Sequence, residues 1–253
     1  MQKIHVLSHK DELEERRLGD KVAVVIDVLF ATSTVVAALH YGSRAVQPVA
    51  LGEAARAAVE GRDPDSYLLA GEHNAVTLAG FAPFAPLGLL ACEPAGKSLI
   101  YVTTNGTVAL CRASKARFVY AAALLNGAAV AQHIRRHHQA ETVLVVCAGS
   151  RGRLSLEDFY GAGYLVEELL REQKSRWALT DAALAAHSLY KSWEPRACLL
   201  GSRVGQMMLA RDCQNEVEYA ARLGVYPTVP RLDGGWLYDL ARASSPGGES
   251  CWG

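Results

Sequence analysis

Seven short apolar runs recur along the first 147 residues, and segments with helical periodicity separate most of them. This alternation is typical of an α/β protein whose sheet is largely buried. The predicted strands are Ile4–Leu7, Val22–Leu29, Ala45–Val49, Tyr67–Ala70, Leu99–Thr103, Phe118–Ala121 and Thr142–Cys147. The predicted helices are Thr32–Tyr41, Gly52–Glu60, Asn105–Ala113 and Gly127–His138. We therefore predict a three-layer α/β/α fold around a mostly buried sheet.

The C-terminal third of the chain has a different pattern. From Leu156 to about Arg222 the periodicity is almost entirely helical, with Gly201 and Gly205 as expected breaks. We predict one α/β domain over residues 1–240, and a division into two subdomains at about residue 156 stays open. Residues 241–253 are rich in Gly and Ser, which predicts a flexible tail. Residues 80–96 carry three prolines and are predicted to form an irregular loop.

The charge balance and the cysteines limit the classes of partner. The chain has 26 Lys plus Arg against 26 Asp plus Glu, so no global charge favours nucleic acid or an anionic membrane. Its polar first twenty residues do not resemble a signal peptide, and its six cysteines form no CxxC pair. We expect a cytoplasmic protein with no nucleic-acid or membrane partner. Its Ala-rich helices would allow a homodimer.

Two acidic residues stand at the ends of predicted strands. Asp27 ends the run VAVVID, and Glu72 follows the run YLLA. Ligands bind at the carboxyl ends of strands in open α/β sheets, and a buried carboxylate is costly unless it is paired or binds a metal. Structural roles remain open for both residues, since Asp27 could cap the next helix or pair with a lysine, and Glu72 could lie in a plain turn.

The segment VTTNGT follows another predicted strand and precedes a helix. Hydroxyl groups, a side-chain amide and a Gly-exposed backbone at a helix N-terminus can hold a phosphate or a sulfonate. A capping turn in which Asn105 adopts an unusual backbone conformation is the open alternative.

The segment CAGSRGR follows the strand VLVV and allows two interpretations. Backbone amides of Gly149 and Ser150, with Arg151 or Arg153, could form an anion loop. Alternatively, Cys147 could be the nucleophile of a cysteine phosphatase, because five residues separate it from Arg153, although the usual preceding His is absent.

Two further clusters could bind metal or serve structure alone. Glu157 and Asp158 could hold Mg²⁺, or they could form the acidic first turn of a helix that Ser155 caps. His133 and His137 lie one helical turn apart, as metal ligands can. However, the neighbouring arginines favour an ordinary cationic helix C-terminus.

Several of these segments, in the order in which they occur along the chain, resemble motifs of the 2-phosphosulfolactate phosphatase family. The motifs IDVL-AT-T, GE, GF, TTNGT and CAG followed by SLED and AG lie between about residues 22 and 170, with a weaker match in SRVGQMMLARDCQNEVEYAARLGVYPTVPRL. Members are Mg²⁺-dependent acid phosphatases that convert 2-phosphosulfolactate to sulfolactate, a step towards coenzyme M. The resemblance implies a phosphoric monoester hydrolase that uses Mg²⁺ and takes a small anionic phosphorylated substrate. The alternative is a non-catalytic or repurposed small-anion-binding protein on the same fold.

The resemblance also implies roles for particular residues. Mg²⁺ would be held by Asp27, Glu72 and Glu157, and the catalytic residues would be Asp27, Glu157 and Asp158. The implied substrate-binding residues are Thr32, Thr104, Asn105, Gly106, Thr107, Gly149, Ser150 and Arg151.

Two departures from the family pattern concern charge. The family usually carries Arg where this chain has Phe30, and Ala82 lies in an apolar stretch that replaces an acid and a polar turn. The lost guanidinium could have bound an oxyanion in bidentate fashion. We therefore expect either altered specificity or lost activity.

Overall fold

The computed structural model describes residues 1–172 and 174–243, and its architecture confirms the α/β class. The strands are β1 Gln2–Leu7, β2 Val22–Ile26, β3 Ala45–Val49, β4 Tyr67–His73, β5 Val76–Thr77, β6 Ser98–Val102, β7 Phe118–Ala122, β8 Val143–Cys147, β9 Trp177–Leu179, β10 Pro230–Asp233 and β11 Trp236–Asp239. The helices are α1 Ala31–His40, α2 Gly52–Ala57, α3 Pro86–Leu90, α4 Gly106–Ala113, α5 Gly127–His137, α6 Leu156–Leu170, α7 Asp181–Ser192, α8 Pro195–Gly201, α9 Arg203–Leu209, α10 Gln214–Ala220 and α11 Leu240–Ala243. Each of the seven predicted strands and four predicted helices is present; β3 has the predicted bounds, and the others have at least one shifted end. Helix α11 includes residues 241–243 of the predicted flexible tail, and the remaining tail residues 244–253 lie outside the described residues.

The strands form one sheet in the order β5-β4-β6-β3-β11-β10-β7-β2-β8-β1-β9. Two parallel groups, β4-β6-β3 and β7-β2-β8-β1-β9, are joined by the antiparallel hairpin of β10 and β11. The central strand β2 is buried along its whole length, which explains why its sequence is apolar without alternation.

Helices cover both faces of the sheet. Val22, Val24 and Ile26 of β2 pack in one core with α5, α6 and α7, whereas Ala23 and Val25 pack in the other with α1 and α4. This arrangement follows from the alternation of side chains along a strand.

The sheet is strongly curved around α1 and α4. β2 and β6 are five places apart in the strand order, so a flat sheet would separate them by about 24 Å. Nevertheless, a Cβ built on Gly106, just after β6 and Val102, would lie 2.4 Å from Oδ2 of Asp27, just after β2. The curvature therefore brings the carboxyl ends of distant strands to one place.

Several sequence predictions differ from the structure. The strand β9 interrupts the region predicted to be helical, and the hairpin of β10 and β11 was not predicted. A two-residue turn of Gly234 and Gly235 with positive φ makes this hairpin, and the DGG signal for it is present in the sequence. Gly201 does end α8, but Gly205 lies inside α9. There a Cβ would approach the carbonyl oxygen of Leu199 to 1.9 Å, so Gly205 permits close packing and does not break the helix.

No helix of the described ranges combines the length and the apolar character needed to cross a bilayer. The loop predicted over residues 80–96 is irregular except for the short helix α3.

Candidate active site

A cleft lies at the carboxyl ends of β2, β4, β6 and β8. The four predicted acids Asp27, Glu72, Glu157 and Asp158 all line it, and each is no more than 8% exposed. The structure thus brings together side chains from three separate motifs, the last of them on the first turn of α6.

Two of these acids hold loops. Glu72 accepts hydrogen bonds from the backbone N–H of Thr104 at 2.6 Å, from its hydroxyl at 3.0 Å, and from the N–H of Ala75 at 2.6 Å. Asp158 accepts the N–H of Val28 at 2.9 Å and that of Gly149 at 3.0 Å. Each carboxylate therefore ties together two chain segments at the edge of the cleft. Asp158 does lie in the acidic first turn of α6, as one interpretation predicted, but its carboxylate binds the backbone of two other segments. Glu72 likewise does more than lie in a plain turn.

The other two acids each keep one oxygen that opens on the cleft. Asp27 Oδ1 accepts the N–H of Ala31 at 3.2 Å, which partly confirms the predicted helix-capping role. Glu157 Oε1 accepts the hydroxyl of Ser155 at 2.6 Å, and Ser155 makes no capping hydrogen bond to α6. No donor of the described residues reaches Asp27 Oδ2 or Glu157 Oε2.

The acids repel one another, and no ion pair between described residues involves any of them. Burial raises the pKa of Asp27 to about 7. The charges of Glu72 and Glu157 add to this rise, whereas the Ala31 amide and the Lys10 ammonium oppose it. Burial, followed by the charges of Asp27 and Glu157, also raises the pKa of Asp158 well above its ordinary value. The cleft is therefore an electrostatically unbalanced site that would gain from a cation.

Two threonines predicted to bind substrate serve the backbone instead. Thr32 is fully buried and its hydroxyl bonds to both the N–H and the carbonyl of Asp27, at 2.9 and 2.8 Å. Thr107 is also fully buried and exchanges hydrogen bonds with Thr103. Both residues lie behind the cleft surface, where they fix the turns that carry Asp27 and Asn105. Hydroxyl-rich turns look the same in sequence whether they bind a ligand or their own main chain.

Asn105 lies at the cleft and is oriented by a lysine that the sequence analysis missed. The buried Lys10 donates from Nζ to Asn105 Oδ1 at 2.8 Å, which leaves the Nδ2 group of Asn105 as a donor on the cleft. Thr104 also lines the cleft, but its amide and hydroxyl are engaged with Glu72. Nothing in the segment around Lys10 distinguishes it in sequence from a surface lysine.

The predicted anion loop at residues 147–153 has another arrangement. The Gly149 amide is bound to Asp158, and the Ser150 amide bonds the carbonyl of Arg153 at 2.9 Å. Arg151 and Gly152 form a tight turn with φ of 55° and 66°. Neither amide is therefore available to a phosphate, although Gly149, Ser150 and Arg151 all line the cleft. Correct prediction would have required knowing that Asp158 reaches back to this loop.

Cys147 is fully buried, and burial raises the pKa of its thiol well above the ordinary value. Cys147 is not among the described residues that line the cleft. A nucleophilic cysteine must be an accessible thiolate, so this position contradicts the cysteine-phosphatase alternative.

Among the described residues, no group of three or more His, Cys, Asp or Glu side chains is arranged to hold a metal ion. The predicted three-acid set of Asp27, Glu72 and Glu157 is thus not assembled as a complete ligand shell. The rings of His133 and His137 lie 4.5 Å apart on α5 without forming such a group.

One side of the cleft is apolar and was only partly predicted. Phe30 and Phe84 line it, and Phe84 belongs to the irregular loop of residues 80–96. Val204, Met207 and Met208 of α9 complete this side. Ala82 is not part of it, because its backbone bonds to Leu69 and Gly71 at the edge of β4. The exposed Arg203 also lines the cleft and donates to the hydroxyl of Ser150.

Comparisons of this chain with a family model and with known proteins indicate the same family. The family model described as 2-phosphosulpholactate phosphatase matches residues 7–235. A protein of Parasynechococcus marenigrum (strain WH8102) is 42% identical over 212 residues, covering 82% of this chain and 87% of its own. A Synechococcus sp. (strain CC9605) protein is 39% identical, with 83% and 90% covered, and one of Carboxydothermus hydrogenoformans is 34% identical, with 90% and 92% covered. All three are named probable 2-phosphosulfolactate phosphatases.

Proposed function

This chain belongs to the 2-phosphosulfolactate phosphatase family, and from that membership we propose that it is a Mg²⁺-dependent phosphatase of a small phosphorylated organic acid such as 2-phosphosulfolactate. The products would be phosphate and the corresponding hydroxy acid, which is sulfolactate for that substrate. One observation carries the proposal. Asp27 Oδ2 and Glu157 Oε2 open on a common cleft, and no donor from the described chain reaches either.

The chemistry of these donors suits Mg²⁺. The ion prefers oxygen ligands, and it commonly binds one or two carboxylates and completes its shell with water and substrate phosphate. The two available carboxylate oxygens match this coordination preference, and a cation would relieve the mutual repulsion of the acids. When bound, the ion would neutralise charge on the phosphoryl oxygens. Glu72, the third predicted ligand, would support the pair by holding the neighbouring loops.

The protein's own groups would position the reactants, which is the main contribution in phosphoryl transfer. Asn105 Nδ2, fixed by Lys10, and the Arg151 guanidinium would donate to phosphate oxygens. Asp27 and Glu157 would orient the attacking water, and Ser155 keeps the Glu157 side chain in place for this purpose.

A non-catalytic small-anion-binding protein fits this arrangement less well. Four buried acids that form no ion pair with any described residue would repel an anion unless a metal ion is present. The apolar residues Phe30 and Phe84 cannot pair with an anion either. The site therefore favours metal-assisted hydrolysis over anion storage.

The test is an assay of phosphate release from 2-phosphosulfolactate and a panel of phosphomonoesters, with Mg²⁺ and with EDTA. We expect metal-dependent turnover, and a drop of about 100-fold or more in kcat/KM for Asp27→Asn and for Glu157→Gln. Glu53→Gln, which changes an exposed glutamate of α2, is the matched control and should retain the wild-type rate.

Calorimetry with MgCl₂ alone gives an independent readout, because the same two variants should also lose Mg²⁺ affinity. Two results contradict the proposal: phosphate release that is absent above background, or release that EDTA leaves unchanged. Anion binding without turnover would support the non-catalytic alternative.

A further inference from the structure

We infer that the site selects phosphorylated hydroxy acids whose side chain is apolar, an alkyl or aryl group, over those that carry a second strong anion such as a sulfonate. This inference rests on the proposed phosphatase function and concerns the group attached beside the phosphate-bearing carbon. It follows from the apolar wall of the cleft, which we define as Phe30, Phe84, Val204, Met207 and Met208.

The wall lies next to the acids. Phe30 immediately precedes α1 and is three residues beyond Asp27, and its ring centroid is 6.2 Å from that of Phe84 at an angle of 49°. The two rings therefore form one tilted aromatic surface within the same cleft as Asp27 and Glu157. Such a surface favours an apolar group and offers no hydrogen bond to an anionic one.

Phe84 is held in this position by its backbone. Its carbonyl oxygen accepts the hydroxyl of Thr34 at 2.8 Å and that of Tyr101 at 2.5 Å. Glu216 of α10 adds a second anchor, because its carboxylate accepts the N–H groups of Leu87 and Gly88, both at 2.8 Å, at the start of α3. The loop that carries Phe84 is thus held by hydrogen bonds at two places, and Phe84 has a fixed position in the wall.

Helix α9 supplies the other half of the wall. Val204 and Met208 are buried, and Met207 is half-buried at the same cleft. Methionine side chains are flexible and polarizable, so they can adapt to apolar groups of different shape. Alkyl and aryl substituents would therefore both be accommodated.

The charges of the cleft support the same conclusion. The cations that line it are Arg151 and Arg203, and both side chains are exposed. Arg203 is already bound to Ser150, and Lys10 is bound to Asn105. 2-Phosphosulfolactate carries a phosphate, a carboxylate and a sulfonate. The apolar wall offers no cation for the sulfonate. A substrate with an apolar third group would place that group against the wall and leave its phosphate and carboxylate for the metal and the arginines.

The test uses a matched pair of compounds that differ in one group. 2-Phosphosulfolactate carries CH₂–SO₃⁻ where 2-phospho-3-phenyllactate carries CH₂–C₆H₅, and both are 2-phosphorylated hydroxy acids. We expect kcat/KM with Mg²⁺ to be roughly tenfold or more higher for the phenyl compound. Phe30→Arg should reduce or reverse this ratio, and Phe30→Leu should keep its direction.

Because Phe30 is buried, Phe30→Arg could fail to fold, so Met207→Lys provides a second variant at a half-buried position. Met207→Lys should also lower the ratio of kcat/KM for the phenyl compound to kcat/KM for 2-phosphosulfolactate. Thermal unfolding of each variant shows whether it is folded.

A higher kcat/KM for 2-phosphosulfolactate would overturn this inference and leave the phosphatase proposal intact. If neither compound is hydrolysed, calorimetry of both compounds on the Mg²⁺-supplied wild type decides the preference, and the panel of phosphomonoesters decides the phosphatase proposal. Tighter binding of the phenyl compound then supports the inference, and equal or tighter binding of the sulfonate contradicts it. A ratio that neither variant changes would also contradict it, because the wall would then have no part in selection.

Discussion

Gly106 lies directly against Asp27. A Cβ on residue 106 would stand 2.4 Å from Asp27 Oδ2 and 2.3 Å from the Cβ of Ala31. Gly106 begins α4 after β6, and Asp27 follows β2, so the missing side chain allows two distant strand ends to meet. Gly106 was predicted to bind the substrate, but in the structure it makes room for the carboxylate.

Gly106→Ala should therefore damage both stability and activity. The added methyl group would push Asp27 and α1 away, at a cost of about 1–3 kcal/mol in the free energy of unfolding. We expect urea denaturation to show this loss and the phosphatase assay to show a fall in kcat. Gly19→Ala is the control, because a Cβ there meets no atom within 4 Å. Equal stability and activity of the two variants would contradict this account of the glycine.

Asp158→Asn should separate a structural role from a catalytic one. An asparagine offers one oxygen acceptor and places an N–H₂ group against the N–H of Val28 or Gly149, both of which Asp158 now binds. We expect a loss of about 1–3 kcal/mol in unfolding free energy together with reduced activity. Unchanged stability with abolished turnover would instead make Asp158 a catalytic residue, as the sequence analysis proposed.

The location of the acids could be predicted from the sequence, but their hydrogen-bond partners could not. Asp27 and Glu72 were identified because a buried apolar run ends in a carboxylate, and this pattern is local. The bond from Asp158 to Val28 spans 130 residues, and the contact of Phe84 with Phe30 depends on how a loop crosses the sheet. Which oxygen remains free for a ligand is decided by such long-range contacts, and a local pattern does not contain them.

The stability of the protein without divalent cations should fall as the pH rises towards neutral. The pKa of Asp27 is about 7 in the folded protein against an ordinary value of 3.8, mainly because of burial. Between these values the folded state retains a proton that the unfolded state has released, so unfolding becomes easier by up to about 1.4 kcal/mol per pH unit.

Asp27→Asn removes this titration. In EDTA, the variant should gain stability relative to the wild type between pH 4.5 and pH 8, and Mg²⁺ should restore the wild type alone at pH 8. Urea denaturation at both pH values measures the difference. Parallel behaviour of the two proteins across this range would show that Asp27 titrates as an ordinary carboxyl group.

Cys147→Ala should leave turnover unchanged. The thiol is fully buried in the core beneath the cleft, and burial raises its pKa well above the ordinary value, so it is not a thiolate near neutral pH. We expect a loss of only about 1 kcal/mol in stability from the smaller side chain. A folded variant with no activity would restore the cysteine nucleophile as an alternative.

A second pH effect should arise far from the cleft, at His133 on α5. Burial, followed by the positive charges of His137, His138 and Arg231, lowers the pKa of His133 from 6.5 to about 4. Between pH 6.5 and 4 the unfolded chain therefore binds a proton that the folded protein does not, and stability should decrease as the pH falls through this range.

His133→Gln keeps a group that can bond the Tyr120 hydroxyl, which His133 contacts at 3.1 Å, but it cannot be protonated. Its loss of stability between pH 7 and pH 5 should be smaller than that of the wild type, because one of the groups that favour the unfolded state in acid is gone. His138, whose pKa is also lowered by burial, would account for part of the remaining slope. His5→Gln changes an exposed histidine and should follow the wild-type curve. If His133→Gln follows it as well, the half-buried His133 contributes nothing to the pH dependence of stability.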